Sequence, residues 1–152
     1  MSSVPTPPVP ALPCLCATLR RASRGLTQVY EDALRPLGLR SSQFTILQLL
    51  SFTGEAPQGR IGEILFMDST TLTRTLAIML RHKWLGERRG HDRRERLLRL
   101  TPVGKAHFRR ALPIWEKVQS RVRMKWGEQS WNNFSQLTQQ LSELVTTQGG
   151  SL

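Results

Sequence analysis

The feature that most restricts the fold of this chain is a short segment crowded with arginine. Gly90 and Asp92, which favour a turn, stand between two stretches, residues 84–88 and 96–100, that are predicted to be short strands. The arginines of this turn and its flanks are Arg88, Arg89, Arg93, Arg94, Arg96 and Arg99. The pattern predicts a basic β-hairpin, which suits a wall of phosphates or a minor groove. An ordinary solvated hairpin with weak surface ion pairs is the alternative.

A short amphipathic helix is predicted directly before the hairpin. Asp68 or Ser69 is a suitable N-cap, and the apolar repeat runs to about His82. The residues of the buried stripe are Leu72, Leu76, Met79 and Leu80. The polar residues off that stripe, or at its edge, are Thr70, Thr71, Thr73, Arg74 and Thr75. Such a surface exchanges hydrogen bonds with base edges and phosphates, whereas the plainer reading is local capping by Thr73 and a surface pair of Arg74.

The rest of the chain is predicted to be mainly helical around a compact middle. Residues 1–12 are predicted to form a flexible Pro-rich tail. Residues 13–36 and 102–148 carry long amphipathic helices, and Pro113 should kink the second of them. Because the middle, residues 41–101, is small, part of their apolar surface is predicted to meet a second copy of the chain in a twofold dimer.

Local signals divide the compact middle and mark the start of the last long helix. Ser41 or Ser42 is a plausible N-cap for a helix, residues 54–59 are predicted to be a loop, and a short helix follows from Ile61 to about Phe66. Thr101 is expected to cap the long C-terminal helix.

The charge balance points to a polyanionic partner. Lysine and arginine number 22 against 11 acidic residues, which gives a net charge of +11 and favours nucleic acid over anionic lipid. No apolar run is long enough to span a bilayer and no secretory signal is evident, so a cytoplasmic location is expected. We find no catalytic triad, phosphate-binding glycine loop or metal-ligand spacing, and expect neither an enzyme nor a cofactor.

Two motifs carry a resemblance to a known family. The first is Thr71-Leu72-Thr73-Arg74, followed by Leu80 and Trp84-Leu85. The second is Asp92-Arg93-Arg94, followed by Leu100-Thr101-Pro102-Val103-Gly104. In this order and spacing they resemble the recognition helix and the wing of the MarR family of winged-helix regulators, over roughly residues 15 to 145. Phe66-Met67 departs from the family by being unusually apolar for the turn before the recognition helix.

The resemblance implies a mainly α (α+β) winged helix-turn-helix with long N- and C-terminal dimerisation helices. It places the recognition helix in the major groove and the wing arginine in the adjacent minor groove of a pseudo-palindromic operator. Arg94 would be the wing-tip arginine, and Asp92 the acidic residue that holds it. The expected DNA-binding residues are Ser69, Thr70, Thr71, Thr73, Arg74, Arg89, Asp92, Arg93, Arg94 and Arg96.

The expected function is that of a homodimeric, sequence-specific transcriptional regulator. We expect a repressor that is relieved by a small aromatic effector or by cysteine oxidation. The alternative is a basic winged-helix module that binds RNA or protein without operator specificity.

The regulatory residues are open to more than one reading. Cys14 and Cys16 are either redox sensors or two thiols packed in the dimer core. Trp115, Trp126 and Trp131 serve either as packing or as the lining of an effector pocket. The three histidines, at 82, 91 and 107, lack ligand spacing for a metal.

Overall fold

A computed structural model describes residues 13–90, 92 and 95–147, which form helices around a small antiparallel sheet. In chain order the elements are α1 (Leu15–Leu34), α2 (Ser41–Thr53), β1 (Glu55–Pro57), α3 (Gln58–Leu65), α4 (Ser69–Arg81), β2 (Leu85–Arg89), β3 (Arg96–Leu100), α5 (Pro102–Trp126) and α6 (Glu128–Thr147). A 3₁₀ turn, Arg35–Leu37, follows α1. The prediction of a mainly helical winged helix is confirmed.

The sheet contains the predicted hairpin and one strand that the sequence did not reveal. Strands β2 and β3 pair antiparallel from Leu85 opposite Leu100 to Arg89 opposite Arg96. The loop predicted at residues 54–59 is wrong, because β1 pairs with the other edge of β3. A three-residue strand that ends in proline has no periodicity of its own, and only its partner strand defines it.

Hydrogen bonds confirm the caps predicted for α4 and α5. Oδ1 of Asp68 accepts from the backbone N–H of Thr71 at 2.8 Å. Likewise, Oγ1 of Thr101 accepts from the N–H of Gly104 at 3.0 Å. Both caps satisfy backbone donors that the first helical turn leaves without partners.

The cap predicted for α2 is wrong, because the helix already begins at Ser41 and its N-cap position is Arg40. A carboxylate from α1 replaces the cap: Glu31 accepts from the N–H of Ser41 at 2.8 Å and from its hydroxyl at 2.9 Å. Burial alone would raise the pKa of Glu31, but the hydrogen bonds from Ser41 and Arg40 lower it.

Helix α3 starts three residues earlier than the predicted Ile61 and ends at Leu65. Gly59, which suggested a loop, lies inside the helix, and Phe66 stops it by adopting the left-handed conformation with a φ of 49°. At the other end of the chain, α5 continues through Pro113 and stops at Gly127, where φ is 87°. Gly127 therefore separates the two long C-terminal helices.

The core joins the winged unit to α5. Phe44 of α2 is buried, and its ring packs against Phe108 and Trp115 of α5 at centroid distances of 5.6 and 5.5 Å. The other fully buried side chains include Leu34, Ile46, Leu47, Leu50, Ile61, Leu76, Met79 and Leu98. Within the part of the chain described above, no helix is both long and apolar enough to cross a membrane.

Candidate nucleic-acid interface

Helix α4 has one apolar and one polar face. Leu72, Leu76 and Met79 are buried against the core, which fixes the orientation of the helix. The polar residues predicted to contact nucleic acid are all exposed: Ser69, Thr70, Thr71, Thr73 and Arg74. The packing of the apolar stripe therefore turns a row of hydroxyls and a guanidinium toward solvent.

Thr71 is engaged inside the chain as well as being exposed. Its hydroxyl donates to Asp68 Oδ2 at 2.6 Å, beside the capping bond that its backbone N–H makes. The hydroxyl bond of Thr71, followed by its backbone bond, lowers the pKa of the Asp68 carboxyl. The Thr71 donor is thus used in capping α4, and only its oxygen lone pairs face outward.

The arginines of the hairpin fall into two groups. Arg88 forms an ion pair with Glu55 of β1, and Arg96 forms one with Glu87 of β2. The guanidinium of Arg89, at the end of β2, is exposed and makes no hydrogen bond or ion pair with a described residue. The density of arginine in the sequence did not reveal which ones the fold pairs internally.

Arg74 of α4 is another unpaired cation on this side of the molecule. Its guanidinium is exposed and has no hydrogen-bonding or ionic partner among the described residues. A guanidinium held on a rigid helix with all its donors free is suited to phosphate oxygens and to the acceptor edge of guanine.

The tip of the hairpin is only partly described. The backbone N–H of Gly90 donates to the carbonyl of Glu95 at 2.9 Å, and that of Glu95 donates to the carbonyl of Asp92 at 2.9 Å. Arg93 and Arg94 lie outside the described residues, so the predicted contact between Asp92 and Arg94 stays a prediction. Asp92 itself is exposed.

Gln58 is a residue of this surface that sequence reasoning missed. Its Oε1 accepts from Arg96 Nη1 at 3.2 Å, and its Nε2 donates to Thr73 Oγ1 at 3.3 Å. One side chain at the start of α3 thus connects the hairpin to α4. No local pattern marks Gln58, because both partners are distant in sequence.

The two cysteines stand at the start of α1 and are both exposed. Cys14 is the N-cap residue of the helix, and Sγ of Cys16 accepts from an Arg20 guanidinium nitrogen at 3.4 Å. They therefore stand at a different helix from the exposed polar residues of α4.

The three tryptophans at 115, 126 and 131 do not surround one pocket. Trp115 packs into the core against Phe44, whereas Trp126 makes an edge-on contact with Trp131 and a tilted one with Phe134. Trp126 is 46 % exposed. The aromatic pair on α5 and α6 is therefore part of an open surface.

Two of the histidines sandwich Trp84, which follows α4. The ring centroids of His82 and His107 lie 4.7 and 4.3 Å from that of Trp84. Burial, with smaller contributions from the positive charge of Arg110 and from His82, lowers the pKa of His107. His91 lies outside the described residues. Among the residues that the structure describes, no three His, Cys, Asp or Glu side chains are placed to hold a metal.

A large apolar surface extends over α1, the end of α5 and α6. No residue of α6 between 128 and 146 is buried, although this helix is amphipathic. The exposed apolar side chains of these three helices include Leu15, Leu26, Val29, Met124, Trp126, Phe134, Leu137, Leu144 and Val145. A monomer seldom exposes a contiguous surface of this kind.

A groove of 490 Å³ lies between α1, α6 and the turn that precedes α4. Leu15 and Leu19 of α1 and Leu141 and Val145 of α6 line its sides, and Phe66 lines it from the turn. The remaining lining residues are Cys16, Arg20, Ser23 and Ser142. The unusual apolar residue of the turn is thus placed beside the two terminal helices.

Comparison with known proteins gives no matching family model but several similar proteins. An uncharacterised HTH-type transcriptional regulator of Bacillus subtilis, YwoH, is 26% identical over 119 residues, which cover 78% of this chain and 87% of that protein. A crystal structure of the Mycobacterium tuberculosis transcriptional regulator MosR in complex with DNA is 33% identical and superposes with a TM-score of 0.79. The match covers 88% of this chain and 97% of MosR.

A mutant MarR from Escherichia coli, complexed with operator DNA, shares the fold at lower identity. It is 17% identical, with a TM-score of 0.76, and the match covers 84% of this chain and 92% of that one. The winged-helix architecture is therefore the same in proteins whose sequences have diverged widely.

Proposed function

Because this chain belongs to the MarR family of winged helix-turn-helix transcriptional regulators, we propose that it binds a pseudo-palindromic operator as a homodimer. We further propose that it represses transcription until a small effector or the oxidation of a cysteine lowers its affinity for DNA.

The polar face of α4 beside the basic hairpin is the observation that carries this proposal. Thr73 and Arg74 face solvent on a helix whose other side is locked into the core. Unpaired arginines attract phosphates without regard to sequence, and side chains on a rigid helix read base edges in the major groove. The chain has both elements in adjacent positions, and it shares its fold with MosR, whose structure was solved with DNA.

Selection of bound duplexes from a random library tests operator binding. The expected result is an enriched pseudo-palindrome whose half-sites repeat after about one helical turn. The complex should persist at physiological salt in the presence of excess unrelated duplex. Enrichment of no motif, or equal displacement by any duplex or RNA, would favour a basic module without operator specificity.

Arginine substitutions test which surface contacts the DNA. Arg74→Ala should weaken operator binding by about five- to 150-fold, the effect of losing one good contact to a base. Arg94→Ala should reduce the slope of log affinity against log salt concentration by about one, because one phosphate or groove contact is lost. Arg24→Ala, which removes an equally exposed arginine from α1, is the control and should change neither property. Equal effects of all three variants would contradict the assignment.

The exposed apolar surface of α1, α5 and α6 supports the homodimer. Helix α6 is amphipathic and has no buried residue between 128 and 146, and such a helix is stable only when something covers its apolar face. A second copy of the chain presents the same surface, and a twofold axis brings the two surfaces together and pairs the two α4 helices. Sedimentation should therefore give twice the 17.3 kDa mass of one chain.

Leu137→Glu on α6 should shift the sedimenting species toward one chain, because it places a charge in the proposed interface. Leu137 is 62 % exposed in the single chain, so the same change is harmless unless a partner covers it. The control, Gln140→Glu, adds the same carboxylate to an exposed position of the same helix and should leave the dimer intact. A wild-type chain that sediments at 17.3 kDa would refute the dimer.

The exposure of both cysteines supports regulation by oxidation. A sensing thiol must be reachable, and Cys14 and Cys16 both are. In the proposed reaction hydrogen peroxide oxidises one thiol from each of two chains to a disulfide and is itself reduced to two molecules of water. The new bond near the start of α1 would fix one arrangement of the dimer, and a coupling of about 1–3 kcal/mol changes operator affinity by about 5–150-fold.

Peroxide treatment followed by operator titration tests this reaction. Wild type should lose affinity and form a dimer that resists dodecyl sulfate without reductant. Cys14→Ser and Cys16→Ser, made singly, identify the reacting thiol, and the double variant should be inert. Unchanged affinity of the oxidised wild type would remove cysteine control from the proposal.

The 490 Å³ groove between α1, α6 and Phe66 is the proposed site for a small aromatic effector. A ligand there would contact two terminal helices and a turn that lies two residues before the N-cap of α4. Binding would therefore favour one separation of the two α4 helices over another. Leu141→Trp should fill the groove and abolish a response to aromatic acids without changing operator affinity in their absence.

A further inference from the structure

Gln58 connects four elements of the winged unit through one chain of hydrogen bonds. Glu87 of β2 accepts from Arg96 Nε of β3 at 2.8 Å, and Arg96 Nη1 donates to Gln58 Oε1 at 3.2 Å. Gln58 Nε2 in turn donates to Thr73 Oγ1 at 3.3 Å, on the exposed face of α4. The chain therefore starts in the wing and ends at a hydroxyl that faces solvent.

The chemistry of arginine fixes the direction of each bond in this chain. A guanidinium has only donors, so the oxygen of the Gln58 amide must face Arg96. The amide nitrogen then faces Thr73, and since an amide NH₂ only donates, the Thr73 oxygen must accept. A hydroxyl has one hydrogen, and that hydrogen is left to point away from Gln58.

Granted the DNA binding proposed above, we propose that Gln58 is a positioning residue that makes Thr73 a hydrogen-bond donor toward DNA. Thr73 then selects acceptors at its contact position, namely N7 and O6 of guanine, N7 of adenine or O4 of thymine, over the amino group of cytosine. Because Arg96 belongs to the wing, the same hydrogen bonds make the base specificity of α4 depend on the position of the hairpin on the DNA.

The substitution Gln58→Glu tests the proposal by reversing the bond to Thr73. A carboxylate accepts from Arg96 on one oxygen and from the Thr73 hydroxyl on the other, so Thr73 would present only lone pairs to DNA. At the base pair that Thr73 contacts, the preference for an acceptor should fall by about three- to tenfold, the effect of one hydrogen bond, and move toward an amino donor.

Two further variants make the result interpretable. Thr73→Val keeps the shape of the side chain, removes the hydroxyl and identifies the base pair by flattening the preference there. Gly59→Glu is the control for added negative charge, because a Cβ at Gly59 meets nothing within 4 Å and the new carboxylate is one residue from Gln58. It should weaken binding to all duplexes alike and leave the selected sequence unchanged.

Library selection with wild type and the three variants gives distinct outcomes. The proposal is supported if Gln58→Glu alters the preference at the same base pair at which Thr73→Val flattens it, and if Gly59→Glu leaves that preference intact. A Gln58→Glu sequence identical to wild type, or altered only at other base pairs, overturns it while operator binding stands. A wild type that selects no sequence overturns both this inference and the proposed function.

Discussion

Replacing Gly104 with alanine should weaken the junction between the winged unit and α5. A Cβ at this position would lie 1.9 Å from the carbonyl oxygen of Trp84 and 2.8 Å from its carbonyl carbon. Cβ atoms in proteins essentially never lie within 3.0 Å of a neighbouring heavy atom, so either α5 or the backbone at Trp84 must move. The obstacle is the Trp84 backbone and not a flexible side chain. That backbone is also held in place, because its carbonyl accepts from the N–H of Thr101 at 3.1 Å.

The cost of that movement follows from the contacts that it disturbs. Overpacking a tight site typically costs about 1–3 kcal/mol. Shifting α5 also loosens the bond from the Thr101 N–H to Trp84 and the bond from the Gly104 N–H to Thr101 Oγ1, each worth about 1 kcal/mol. The free energy of unfolding should therefore fall by about 3–5 kcal/mol.

Urea unfolding at one fixed protein concentration measures this loss, since the stability of a dimer depends on concentration. Gly25→Ala is the matched control, because a Cβ there meets nothing within 4 Å and the residue lies inside α1. It should stabilise the protein by about 0.5–1 kcal/mol through helix propensity. A Gly104→Ala variant within about 0.5 kcal/mol of wild type would refute the close approach of α5 to Trp84.

Three smaller effects are expected from the same contacts. Asp68→Ala should lower the midpoint of thermal unfolding by removing the cap of α4, whereas Thr70→Ala on the same turn should not. Glu55→Gln should leave the free energy of unfolding almost unchanged, because its pair with Arg88 is exposed to solvent, and a clear loss of stability would contradict that exposure. The half-buried His107 should make the protein less stable in mild acid: the unfolded chain takes up its proton near the ordinary pKa of 6.5, and the folded chain only at lower pH. Unfolding free energy should therefore be level above pH 6.5 and fall below it, and His107→Gln should reduce that slope.

The parts of the fold that could be predicted from sequence are those that local chemistry determines. The cap at Asp68, the apolar stripe that includes Leu72 and the turn residues of the hairpin all act within a few positions of one another. The start of α5 is similar, because Thr101 caps it by accepting from the N–H of Gly104, three residues later. Such signals are complete within a short window, and they placed α4 and the hairpin correctly.

The parts that were missed depend on partners far away in the chain. Strand β1 exists because Ala56 pairs with Leu98, and α2 begins where Glu31 supplies a carboxylate. Gln58 is unremarkable in sequence, and its importance arises from Arg96, which lies 38 residues later. A single sequence contains no local pattern that reveals such contacts, since any polar residue at the same position would give the same prediction.

The junction at Trp84 also explains how a signal on the terminal helices would reach the DNA. The carbonyl of Trp84, just after α4, accepts from Thr101, and its ring packs at 4.3 Å from His107, so the end of α4 is fixed to the start of α5. Helix α5 has 25 residues and is therefore about 37 Å long. A rotation of about 5° at its far end, where the proposed dimer interface lies, displaces the near end by about 3 Å. Hydrogen bonds to bases tolerate only a few tenths of an ångström, so a ligand or a disulfide at the interface can disengage both α4 helices without contacting either of them.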